Sequence, residues 1–196
     1  MKKEEAERIT SAIFTLYNKH GANNYLGEDV SEQEHMIQCA MLAEQAGYPD
    51  EVVLGALFHD VGHLVGLEKS LEEMGKGIGT KRHDIIGAEF LEGLGFPEEL
   101  CQLVRHHVNA KRYLVHRCEG YHDKLSNVSK QTLIHQGGPM ADQEANEFEK
   151  LVNFKAIIHL RQWDDGGKIE DKAIDPIEKY ITKCKEYLLN LNKNTN

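Results

Sequence analysis

The sequence lacks any run of Lys and Arg, and its 32 acidic residues outnumber its 23 basic ones for a formal net charge of −9. Nucleic acids and anionic membrane surfaces both need clustered positive charge, so neither is an expected partner. Cysteine is scarce too: Cys39, Cys101, Cys118 and Cys184 show no short-range pairing pattern, which excludes a disulfide framework. No apolar stretch is long enough for a transmembrane span, and Met1-Lys2-Lys3-Glu4-Glu5 leads into an amphipathic segment rather than an apolar signal region. These features together predict a reduced, cytoplasmic protein. Sustained period-two alternation and internal repeats are missing as well, which leaves no candidate strand and predicts an all-α fold. At 196 residues the chain is most simply one domain, large enough to bury about 70% of its unfolded surface and to enclose a polar site.

What the chain does have is the stretch Ala56-Leu57-Phe58-His59-Asp60-Val61-Gly62-His63, an apolar run carrying three ionisable side chains. Buried ionisable groups are costly unless paired or metal-bound, and a metal is the simplest compensation. On one continuous helix His59 and His63 stand at i and i+4, and Asp60 leans into the same site. A carboxylate has two oxygens, so Asp60 can bridge two metal ions where either histidine serves one.

The chain reads as a series of helices. Residues 4–19 carry Ile9, Ala12, Ile13 and Leu16 at helical spacing, with Gly21 as a left-handed cap. Ser31-Glu32-Gln33-Glu34 fits a capping box that puts His35 early in the second helix. Pro49 or Asp50 opens the third helix, which carries the central stretch. Residues 64–82, with four glycines, read as a surface loop ending where His83 begins the fourth helix. Pro97-Glu98-Glu99 announces a fifth helix that runs through His106-His107 to Lys111. Residues 122–135 and 141–162 read as two further helices, Pro176 begins the last, and the polar tail over 191–196 is expected to fray.

Distributed over these helices, the candidate ligands are His35, His59, Asp60, His83, one of His106 and His107, and an acid from Asp164-Asp165. This mixed nitrogen and oxygen set suits iron, manganese or zinc and disfavours thiolate-bound metals. His20, His116, His122, His135 and His159 lie outside the pattern and read as structural or solvated.

The order His35, His59-Asp60, Asp164 resembles that of the HD-domain superfamily, with two further histidines as in its dinuclear members. A wider set of residues, Tyr25, Gly27-Glu28, Glu34-His35, His63, Lys111, Ser129, Gln136-Gly-Gly-Pro-Met140 and Arg161-x-Trp-Asp-Asp165, resembles the mixed-valent diiron oxygenases of that superfamily that cleave hydroxyphosphonates. The resemblance spans roughly residues 20–170 and implies an HD-domain helical bundle with a dinuclear metal site in its core. It implies that His35, His59, Asp60 and Asp164 hold one iron, and that Asp60, His83 and His107 hold the other. It further implies that Tyr25 plugs an open position on the second iron until substrate displaces it, and that Glu28 turns toward a substrate ammonium. Gly27 would serve as the swivel of that loop.

The implied activity is oxidative cleavage of a carbon–phosphorus bond with O2 as co-substrate. The resemblance is greatest to members that turn (R)-2-amino-1-hydroxyethylphosphonate into glycine and phosphate, with the trimethylammonium analogue as the nearest alternative. For the phosphonate end the candidates are Lys111, Arg161, Ser129, Thr132 and Gln136, with His63 close to the metals. Arg161 shares a helical face with Asp164, and Ser129, Thr132 and Gln136 follow i, i+3, i+7 spacing. A metal-dependent phosphohydrolase needs the same metals without O2, Tyr25 or Glu28, and a third reading is a module that binds a ligand without turnover.

Overall fold

In the computed structural model, residues 1–191 are described, apart from Leu26 and Lys76. The expected fraying of 191–196 therefore falls, beyond Leu191, outside the described residues. The elements are α1 (Lys3–His20), α2 (Glu32–Gln45), α3 (Asp50–Phe58), α4 (Val61–Lys69), α5 (His83–Gly93), α6 (Glu98–Arg117), α7 (Tyr121–Lys124), α8 (Asn127–His135), α9 (Asp142–Phe148), α10 (Phe154–Gly166) and α11 (Ile177–Asn190). No strand forms among the described residues, so the fold is all-α as the patterning predicts. Two isolated antiparallel bridges, Asn24 with Ser31 and Glu73 with Thr80, close the loops before α2 and α5.

The apolar run is the centre of the bundle. Val53, Leu54, Ala56, Leu57 and Phe58 of α3 are buried together with Val61, Leu64 and Val65 of α4. Helices α2, α6 and α10 pack on α3, while α5 covers α4. Each fully buried aliphatic side chain contributes about 1.5–3 kcal/mol relative to exposure, and this large shared core is what lets charged groups sit inside it.

Local signals account for several boundaries. The Ser31 side chain accepts from the Glu34 amide at 3.2 Å, and the Glu34 carboxylate accepts from the Ser31 amide at 2.7 Å, the expected capping box. Pro97 and Pro176 precede α6 and α11, and His83 is the first residue of α5.

Other boundaries depart from expectation. The helix expected to carry His59 through His63 breaks at His59-Asp60, where Asp60 takes φ −103° and ψ 12°. The carbonyls of Ala56 and Leu57, which a continuous helix reserves for the amides of Asp60 and Val61, accept side-chain hydrogens from His59 (2.8 Å) and from Tyr17 of α1 (2.6 Å). The helix resumes as α4, so the first six residues of the expected 64–82 loop are helical. Residues 122–135 form two helices because the Ser126 side chain caps α8, accepting from the Ser129 amide. Residues 141–162 likewise divide into α9 and α10. Gly21 is right-handed, φ −65°, rather than left-handed; a Cβ there would lie 3.0 Å from the Gln33 side chain, so glycine is needed for space.

Candidate metal centre and its cavity

Asp60 lies at the point where five elements converge. Its Oδ2 is 3.2 Å from Nε2 of His59 and 3.6 Å from Nε2 of His35, on α2. Its Oδ1 is 3.4 Å from Nε2 of His83, on α5, and 3.3 Å from Nε2 of His107, on α6. One carboxylate thus divides its two oxygens between two pairs of imidazoles. Asp164, on α10, joins the first pair, with its Oδ1 3.5 Å from Nε2 of His35. All six side chains are buried.

The tautomers follow from the partners. Nδ1 of His35 donates to the carbonyl of Gly167, that of His59 to Ala56, that of His83 to Thr80 and that of His107 to Val104, at 2.7–3.3 Å. Carbonyls only accept, so each Nδ1 carries the hydrogen and each Nε2 presents a bare lone pair. Yet Nε2 of His35 lies 3.1 Å from Nε2 of His59, and Nε2 of His83 lies 3.0 Å from Nε2 of His107. Two acceptors cannot bond each other, and a cation between them resolves the repulsion. About 3 Å is also the separation of two nitrogens each about 2.1 Å from one ion at a right angle. Asp164 Oδ1 is buried with no hydrogen-bond partner, a further position for a cation. The donor set therefore fits two metal ions bridged by Asp60, and the anchored Nδ1 atoms are the outer partners that such ligands need.

The charges agree. Burial pushes the Asp60 carboxyl up, but the surrounding imidazoles, His59 first and then His107 and His63, outweigh it and hold Asp60 well below the usual carboxylate range. Asp164 is held well below it as well, its burial outweighed chiefly by Arg161 and Lys168. Burial pushes His35 down to about 3, so its imidazole is neutral and able to ligate.

His63 differs from these four. The Thr80 amide donates to its Nδ1 at 3.0 Å, so its Nε2 carries the hydrogen and is a donor rather than a ligand. Its ring stacks on His83 with centroids 4.0 Å apart. His106 points away, with its Nδ1 3.1 Å from the Asn109 amide and its ring edge-on to Phe148, which leaves His107 as the inward member of the pair. His20 and His116 pair with Glu68 and Asp142, and His159 meets Tyr48. Cys39 is one turn beyond His35, but burial pushes its thiol pKa well up and it donates to the Trp163 carbonyl, so it is a neighbour of the site.

A cavity of about 30 Å³ opens against this cluster. Asp60, His63, His83, His107 and Asp164 line one side; Lys111, Ser129, Thr132, Gln136, Arg161 and Lys168 line another; Tyr25 and Glu28 complete it. Every residue expected at the substrate thus lines one space. Lys111 is buried and donates to Thr132 Oγ1 at 2.7 Å, and burial followed by the charges of Arg161 and Lys168 pushes its ammonium down to about 7. Glu28 Oε1 and Gln136 Oε1 are buried without hydrogen-bond partners.

Two placements alter the sequence reading. Tyr25 stacks on His35 with ring centroids 4.0 Å apart and donates to Asp60 Oδ2, so it lies on the His35–His59 side rather than at the second position between His83 and His107. Arg161 is committed to two carboxylates: it donates to Asp164 Oδ2 at 2.5 Å, to Asp165, and to the Tyr121 hydroxyl at 3.2 Å. Lys168 was not among the sequence candidates; its one signal was the i+4 spacing from Asp164.

On the other face of the 23–30 loop is a wider cavity of about 300 Å³, lined by Asn23, Asn24, Gly27, Glu32 and His63. Tyr25 and Glu28 of this loop line the narrow cavity, Asn23, Asn24 and Gly27 line the wider one, and His63 lines both.

Comparison with known proteins agrees with this geometry. The HD domain family model matches residues 33–152, which include His35, His59, Asp60, His83 and His107 but stop short of Asp164. The chain is 42% identical to the [1-hydroxy-2-(trimethylamino)ethyl]phosphonate dioxygenase (glycine-betaine-forming) of Leisingera caerulea, over 83% of this chain and 82% of that one. It is 32% identical to the hydroxymethylphosphonate dioxygenase of Gimesia maris, over 96% and 92%. An uncharacterised protein of Acanthamoeba polyphaga mimivirus is 36% identical over 94% and 84%. With Asp60 set between two pairs of inward-facing histidines, and with these relatives, the chain belongs to the HD-domain family.

Proposed function

We propose that this protein is an iron-dependent oxygenase that cleaves the carbon–phosphorus bond of a small 1-hydroxyphosphonate. The substrate we assign is (R)-2-amino-1-hydroxyethylphosphonate, which with one O2 gives glycine and phosphate. The atoms balance without a further reductant: the C–P and C–H bonds of the hydroxyl-bearing carbon are lost, that carbon becomes the carboxylate, and phosphorus leaves as phosphate. The two relatives named phosphonate dioxygenases support the reaction class. The observation that carries the reading is the joint lining of one cavity by Asp60, His83, His107 and Asp164 of the ligand set and by Lys111, Ser129, Thr132 and Gln136.

Bound iron supplies the redox chemistry with O2 that no side chain here can perform. His35, His59, Asp60 and Asp164 would hold one ion, and Asp60, His83 and His107 the other. The chain's own residues bind and orient. Lys111 neutralises the phosphonate, Thr132 Oγ1 accepts from the Lys111 ammonium and orients it, Ser129 supplies a hydroxyl to the phosphonate oxygens, and the Nε2 hydrogen of His63 donates to a substrate oxygen. The cavity of about 30 Å³ holds about two waters, so substrate entry requires the loop bearing Tyr25 and Glu28 to withdraw toward the wider cavity. Its return excludes water from the reacting centre.

Glu28 supports the choice of amine. A primary ammonium gives its buried Oε1 the donor it lacks. A trimethylammonium group has no N–H and favours an aromatic cage, whereas among the described residues Tyr25 is the one non-histidine aromatic lining the cavity. Hydroxymethylphosphonate would leave Glu28 unpaired.

The test is oxygen uptake and product analysis by the iron-loaded protein with the amino, trimethylammonium and hydroxymethyl substrates. Uptake stoichiometric with glycine, and fastest with the amine, is the expected result. Phosphate release from phosphate esters without oxygen uptake would replace the oxygenase by a phosphohydrolase.

A further inference from the structure

A phosphonate carries about −1.5 to −2 charge at neutral pH if it titrates like a phosphate monoester, and Lys111 alone balances only part of it. Arg161, the second cation expected from the sequence, has its charge matched by Asp164 and Asp165. Lys168 is the other cation on the cavity wall. Its nearest carboxylate oxygen, Asp164 Oδ1, is 3.7 Å away, an ion pair beyond hydrogen-bond distance, so no hydrogen bond among the described residues occupies its three ammonium hydrogens.

The backbone around Lys168 is built to hold it there. Helix α10 has just ended, and Gly167 packs so closely on α2 that a Cβ would meet Cys39 Sγ at 2.6 Å and the Trp163 carbonyl at 3.1 Å. The Gly167 carbonyl accepts from His35 Nδ1 at 3.0 Å. One turn further along α2, the Gln38 amide donates to the Ile169 carbonyl at 2.9 Å and accepts from the Ile169 amide at 3.1 Å. Lys168 is thus clamped on both sides by α2, and its stem crosses the rim so that Nζ stands 5.5 Å from the centre of the Tyr25 ring. A freely solvated lysine needs no such clamp.

We propose that Lys168 is the second cation of the phosphonate subsite, that with Lys111 it selects a dianionic head group, and that Arg161 serves instead as the strut that fixes Asp164. This rests on the functional reading above. Because Nζ stands over Tyr25, a phosphonate drawn to Lys168 arrives beside the ring that must give way, which ties head-group recognition to opening of the site.

The test is anaerobic titration of the iron-loaded protein with 2-amino-1-hydroxyethylphosphonate and, separately, with inorganic phosphate, using wild type, Lys168→Met and Lys168→Arg, each with its metal content measured. Lys168→Met should keep its metals and bind both anions on the order of tenfold to a hundredfold more weakly, with Lys168→Arg recovering most of the loss. In turnover the Met variant should raise KM far more than it lowers kcat. Unchanged affinity in Lys168→Met overturns the proposal, and so does loss of metal from that variant, which would assign Lys168 to Asp164. If wild type binds phosphate but not the hydroxyphosphonate, and Lys168→Met weakens phosphate, the subsite stands and the functional reading falls. A wild type that binds neither anion overturns both.

Discussion

Tyr25 donates its phenolic hydrogen to Asp60 Oδ2 at 2.8 Å, the oxygen that faces His35 and His59. Burial and the Asp60 charge push the phenol pKa well up, so it stays a donor across the physiological range. Tyr25→Phe should therefore retain its metals and bind substrate. The iron-loaded resting protein should show an altered absorption spectrum and oxidise faster in air, because the His35 side is no longer covered by a hydroxyl. Spectra and air stability matching those of wild type would make Tyr25 a packing residue.

Asp60→Ala removes the one side chain shared by both imidazole pairs. Both ions should be lost rather than one, with metal analysis reading near zero while circular dichroism retains the helical signal. Retention of about two metals per chain would sink the bridging role.

Phosphonate affinity should depend on the protonation of Lys111. Its ammonium titrates at about 7 in the free protein, lowered by burial and then by Arg161 and Lys168. A bound dianion favours the charged form and raises that pKa, so binding takes up a proton above pH 7. Affinity should then fall by up to about tenfold per pH unit above 7. Calorimetric titrations at pH 7, 8 and 9 in buffers of different ionisation enthalpy measure both effects. Lys111→Ala should flatten this limb and weaken binding about ten- to a hundredfold.

Gly167→Ala places a methyl group against Cys39 and the Trp163 carbonyl. Overpacking of this kind costs about 1–3 kcal/mol of stability. The carbonyl that orients His35 would shift with it, and loss of such an outer partner weakens metal binding about ten- to a hundredfold. Thermal unfolding and competition against a chelator would detect the two effects separately.

The helical class, and the places of the candidate ligands on their helices, are legible because they depend on local pattern. The capping box at Ser31 and Glu34, the start at His83 and the prolines before α6 and α11 act within a few residues of where they appear. The break at His59-Asp60 was not legible, since it involves a hydroxyl from Tyr17, 40 residues from Leu57 in sequence. Lys168 was missed for a similar reason: its place comes from Gln38, 131 residues from Ile169, rather than from its neighbours. Arg161 shows the converse. Its i, i+3 relation to Asp164 is plain in the sequence, but the relation ties the guanidinium to carboxylates instead of leaving it free.

The meeting of α2, α3, α5, α6 and α10 at Asp60 also determines when the site can exist during folding. No single segment carries enough of it: His35 is 24 residues from His59, His83 is 24 from His107, and Gly167, which orients His35, is 132 residues away. Contacts of such separation close late, after loop entropy has been overcome. Metal capture is therefore expected to complete an assembled bundle and not to nucleate its collapse. A chain interrupted before α10 would lack Asp164 and the His35 anchor, however helical its remaining segments.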